Sequence, residues 1–61
     1  MNLHSARKIY LVGIKGVGMT ALAILFQQMG KIVWGSDIDE IFPTDRVLKR
    51  HKIKILKGFI K

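Results

Sequence analysis

The stretch "KIYLVGIKGVGMTALAIL", residues 8–25, decides the fold. Its first five residues form a β-branched and aromatic run stopped by Gly13, which predicts a strand buried on both faces, as in the interior of a parallel sheet. Residues 16–18 make a turn. Residues 17–29, "VGMTALAILFQQM", are rich in Ala, Leu, Met and Gln and predict a helix, with Gly30 as its C-terminal stop. Apolar residues cover most of that helix's circumference, so neighbours on more than one side are expected.

Working outward, Ile32, Val33 and Trp34 predict a second strand that ends at Gly35. Pro43 and Thr44 open a second helix reaching about His51. Thr44 is its expected N-cap, Asp45 lies at the favourable N-terminal end, and Asp45 with Lys49 makes an i,i+4 pair. Residues 53–56 give a short third strand. The order βαβαβ, with short connections, requires parallel strands and right-handed crossovers. This is an α/β chain, one mononucleotide-binding half of a doubly wound parallel sheet with expected strand order 3-2-1. That order leaves strand one, "IYLV", with an unpaired apolar edge, a feature that invites pairing. The chain is therefore expected to be cut short, with a downstream segment covering that edge.

Composition narrows the function classes. The 61 residues carry 11 Lys+Arg against 4 Asp+Glu, a formal net charge of +7, which implies attraction to phosphates, nucleic acid or acidic lipid head groups. There is no cysteine, so disulfides and Cys-type zinc sites are excluded, and a reducing cytoplasm fits. His4 and His51 have no ligand spacing and read as solvated surface residues, so no metal site is expected. The start "MNLHSARK" is not expected to be a secretory leader, because Lys15 and three glycines interrupt the apolar region behind it. No apolar run reaches the roughly 20 residues of a membrane span. The alternation of charge with Ile53, Ile55 and Leu56 in "KRHKIKILKGFIK" describes a half-buried strand with a wet face, without nucleic acid.

A glycine turn between strand and helix places backbone N–H groups around an anion at the positive end of the helix. The dinucleotide fingerprint is G-x-G-x-x-G with an acidic residue about 20 positions on. Here it reads G-I-K-G-V-G: Gly13 and Gly18 hold the outer positions, Lys15 stands where the middle glycine belongs, and Gly16 comes one residue late. The Lys15 side chain either crowds a pyrophosphate or reaches forward to pair with it. The glycines serve ligand approach, or merely a tight turn and close helix–strand packing. Asp37, in "WGSDID", is the downstream acid, placed to accept from ribose hydroxyls, with Ser36 beside it; the alternative is a solvated turn. Thr20 either faces a phosphate or bonds back to the backbone. Met19 reads as packing, Trp34 as strand core or as a base-stacking ring, and Asp39 and Glu40 as surface residues.

These residues carry a family resemblance. "GIKGVGMTALA", residues 13–23, followed by a helix ending in Met29-Gly30 and then by "GSD", residues 35–37, resembles the N-terminal domain of the Mur ligases over residues 8–58. The resemblance implies a Rossmann-like domain that binds the uridine diphosphate part of UDP-N-acetylmuramate. On that basis Gly13, Ile14, Lys15, Gly16, Val17, Gly18 and Met19 hold the pyrophosphate through backbone amides, and Ser36 and Asp37 face the uridine. Residues 1–61 would then be an incomplete UDP-sugar-binding domain, without the family's central ATP-binding and C-terminal domains. Two departures stand out: the family commonly has glycine in place of Lys15 and histidine in place of Tyr10. The resemblance further implies that the whole enzyme uses ATP and magnesium to activate the muramate carboxylate as an acyl phosphate, which an amine attacks. No G-x-x-x-x-G-K-[ST] loop exists in this sequence, so catalytic residues, ATP and metal are expected elsewhere. Two other readings stay open: a half-Rossmann segment of an NAD(P)- or FAD-dependent oxidoreductase, and a small basic nucleic-acid-binding module.

Overall fold

The structure, a computed structural model, describes residues 6–58. Five elements follow in order: β1 (Lys8–Val12), α1 (Val17–Gln28), β2 (Ile32–Asp37), α2 (Pro43–Arg50) and β3 (Lys54–Lys57). The three strands form one parallel sheet in the order β1-β2-β3, with Ile9 opposite Val33, Leu11 opposite Gly35, and Gly35 opposite Ile55. The half-sheet and the strand order expected from sequence are both present, and β1 lies at an edge. His4, the start of the chain and residues 59–61 of the basic tail lie outside the described residues.

Both helices contribute to one core. Ala23 and Phe26 of α1 and Leu48 of α2 cluster with Ile9, Leu11, Ile14, Val33 and Ile53. Strand alternation then puts the even row of β1 and β2 on the opposite face, where Tyr10, Val12 and Ile32 are exposed and Tyr10 meets Trp34 with ring centroids 5.6 Å apart. β1 is thus buried on one face only, not on two. An apolar run cannot by itself say how many layers cover it. α1 meets the sheet and α2, as its broad apolar face led one to expect: Thr20, Ala23 and Phe26 are buried and Met19, Leu22 and Ile24 pack beside them, while Val17 and Leu25 stay exposed.

Other boundaries shift for local reasons. α1 ends at Gln28 with Met29 as its C-cap. The N–H of Gly30 reaches Gln27 O and that of Lys31 reaches Phe26 O, the Schellman pattern. α2 ends the same way, with Lys52 N–H on Lys49 O and Ile53 N–H on Leu48 O, although Lys52 must adopt φ +58°. β2 runs on through Gly35 to Asp37. The N-cap of α2 is Phe42, not Thr44, with Pro43 at N1, a position where a missing N–H costs nothing. Asp45 does not pair with Lys49 but with Lys15, at 3.1 Å.

Candidate functional site

Two segments meet beyond the C-terminal end of the sheet: the turn from β1 into α1, and the segment leaving β2 at Asp37. Gly13 has φ +75°, a left-handed conformation that costs a residue with a Cβ about 1–2 kcal/mol. That bend lets the N–H groups of Gly13 and Ile14 both reach Ser36 O, at 2.7 and 3.1 Å, and Gly16 N–H closes the turn on Gly13 O. Ile14 is fully buried in the core. The Thr20 hydroxyl donates to Ile14 O at 2.8 Å, so it braces the turn from below.

α1 begins without a side-chain cap. Gly16 is the N-cap, and no acidic residue lies in the first turn. The first intrahelical bond runs from Thr20 N–H to Gly16 O at 2.7 Å. The amides of Val17, Gly18 and Met19 therefore point out of the helix end unanswered, at the positive pole of the dipole. Val17 is 80% exposed, and a Cβ on Gly18 would meet no atom within 4 Å. Aligned free donors in open space are suited to phosphate oxygens.

The opposite wall is held by charge. Asp37 accepts the Lys15 N–H on Oδ2 at 2.9 Å and the Ile38 N–H on Oδ1 at 2.7 Å. Each oxygen keeps a further lone pair for a ligand hydroxyl. The Lys15 ammonium neither crowds the helix end nor reaches forward. It turns back to Ile38 O at 3.3 Å, to Glu40 O and to the Asp45 carboxylate, and lies 5.6 Å from the centroid of the Phe42 ring. Between turn and wall is a cleft of about 400 Å³ lined by Gly13, Lys15, Gly16, Val17, Asp37, Phe42, Pro43 and Thr44.

The structure thus brings Gly13, Lys15, Gly16, Val17 and Asp37 together, with the Gly18 and Met19 amides at the helix end beside them. Met19 also packs its side chain against the core. Ser36 is 1% exposed and stands in register with Val12 and Leu56, in the row that faces away from α1. Trp34 and Tyr10 meet on that same face, outside the cleft. Sequence reading missed Phe42, Pro43 and Thr44. Their signal was position: they open the helix after β2, where the crevice of such a sheet lies. Among the described residues no group of three or more His, Asp or Glu side chains could hold a metal ion, and no helix is long and apolar enough to cross a membrane.

Comparison with known proteins matches residues 8–59 to the Mur ligase family, catalytic domain. The chain belongs to the Mur ligase family. Its relatives include the UDP-N-acetylmuramate–L-alanine ligase of Streptococcus gordonii, 54% identical over 50 residues, which are 80% of this chain and 11% of that protein. The enzyme of the same name from Treponema pallidum is 46% identical over 55 residues, 90% of this chain and 11% of its own. That of Streptococcus mutans is 47% identical over 53 residues, 87% and 12%. No solved structure matches. This Mur ligase chain spans about a tenth of the length of the curated relatives it matches, and the matched part contains the whole glycine turn and both walls of the cleft.

Proposed function

We propose that the chain is the N-terminal substrate-docking part of an ATP-dependent UDP-N-acetylmuramate–L-alanine ligase of peptidoglycan synthesis, working in the cytoplasm. The uncapped amides of Val17, Gly18 and Met19 receive the diphosphate of UDP-N-acetylmuramate, and the spare lone pairs of Asp37 accept from the uridine side. The observation that carries this reading is the bare helix start facing a cleft. Three adjacent donors left without acceptors are costly unless water or a ligand answers them. The kinship with UDP-N-acetylmuramate–L-alanine ligases supports the choice of a UDP-sugar over a nicotinamide dinucleotide.

The same residues do not fit ATP or magnesium. The phosphate loop is missing from the sequence, and among the described residues no acidic cluster offers ligands to a metal. This chain's share of the reaction is to bind and orient one substrate. Bond formation, nucleotide and metal belong to other domains of a longer ligase.

Calorimetric titration of the intact polypeptide carrying residues 1–61 tests the reading. UDP-N-acetylmuramate is expected to bind, UDP more weakly, and NAD not at all. Saturable binding of NAD with no response to UDP compounds would turn the reading toward an oxidoreductase. Tight, steeply salt-dependent binding of a single-stranded oligonucleotide alone would turn it toward a nucleic-acid module.

A further inference from the structure

We propose that Lys15 is a positioning residue that rivets segment 38–44 in place as the second wall of the cleft, and that it never touches the anion. The proposal rests on the ligand reading above. All the polar groups of Lys15 are already spent on this wall. Its N–H donates to the Asp37 carboxylate and its C=O accepts the Thr44 hydroxyl. Its ammonium has three N–H bonds to give, and three acceptors take them: Ile38 O, Glu40 O and Asp45 Oδ2. The side chain is 7% exposed and that of Asp45 28%, so the pair is sheltered from solvent.

Swinging the ammonium toward a phosphate would leave two carbonyls unanswered and strand a half-buried carboxylate. It would also give up the contact with the Phe42 ring, which lines the cleft. Phe42, Pro43 and Thr44 have no other tie of this kind to the turn. One lysine therefore fixes the width of the cleft, and the anion is left to the main-chain donors. A positive charge placed among the glycines acts here as an internal clamp.

The test uses Lys15→Met, Asp45→Asn and the double variant of the intact polypeptide, with UDP as the probe. Each single change is expected to weaken UDP binding about five- to tenfold, the cost of re-ordering one or two wall side chains on binding. The double variant is expected to be no weaker than Lys15→Met alone, because both changes break one device. Amide hydrogen exchange in segment 38–44 should speed up while β1 and β2 keep their protection. The UDP-induced shifts of the Val17, Gly18 and Met19 amides should keep their direction and saturate at higher UDP. Weaker binding in Lys15→Met with tighter binding in Asp45→Asn would overturn the proposal, since it would mean that a freed ammonium grips the phosphate. Unchanged exchange in segment 38–44 would overturn it too. If the unaltered polypeptide fails to bind UDP, the ligand reading falls separately, and the exchange data alone decide whether Lys15 holds the wall.

Discussion

Gly13 and Gly18 look equivalent in the sequence, yet they differ in what they are for. Gly13 is required by its backbone, at φ +75°. Gly18 has ordinary helical geometry, and its place next to the helix start is open, so the fold makes no demand for glycine there. On the proposed function, a glycine here serves close approach of the diphosphate. Gly18→Ala is therefore expected to leave the chain as stable or up to about 1 kcal/mol more stable in urea unfolding, while lowering UDP affinity at least about tenfold, more than 1.4 kcal/mol. Stability and binding moving in opposite directions marks a ligand residue; a joint fall would mark a packing one. Lys15 shows the limit of reading single residues. Its spacing within the glycines was plain, but the direction of its ammonium depends on carbonyls more than 20 positions away, which no local pattern reports.

At the level of elements, the periodic segments were legible and their edges were not. Strand, turn and helix from residue 8 to residue 28 follow from apolar runs and glycines. The end of β2 was misplaced because Gly35 looks like punctuation. It is a strand interior where the chains crowd: a Cβ there would lie 2.3 Å from Leu11 O and 2.8 Å from Ile14 Cβ. The residues that follow it, Ser36 and Asp37, are themselves turn formers, so no local pattern marked the close approach. Gly35→Ala is expected to cost about 1–3 kcal/mol through overpacking, read as a lower urea midpoint with unchanged slope. The close of α2 supplies a converse case. Lys52 sits at φ +58° where glycine is the usual occupant. Lys52→Gly should raise stability by about 1 kcal/mol, and a fall would show that its side chain contributes something the backbone does not reveal. The N-cap of α2 could not be found from Thr44, because that hydroxyl is committed to Lys15 O across the cleft.

At the scale of the whole molecule, a strongly basic chain carries a cleft that, among the described residues, offers no free cation. The formal charge of +7 suggested phosphate or nucleic acid, but the one lysine in the cleft is neutralised by Asp45. Recognition by main-chain dipoles releases few counterions, so UDP affinity should change less than about threefold between 50 and 200 mM salt; a loss of about tenfold or more would indicate that side-chain cations hold both phosphates. The open face bearing Tyr10, Val12 and Ile32 was invisible to sequence reading for a related reason. How many layers cover a sheet is a property of the assembly, and an apolar strand looks alike in either setting. The central claim, that the bare start of α1 receives a sugar nucleotide's diphosphate, is tested most directly by ¹⁵N amide mapping of the intact polypeptide during UDP titration. The largest shifts are expected at Val17, Gly18 and Met19, with smaller ones at Asp37 and Phe42. Saturable shifts confined to the Tyr10–Trp34 face, with those three amides unmoved, would contradict it.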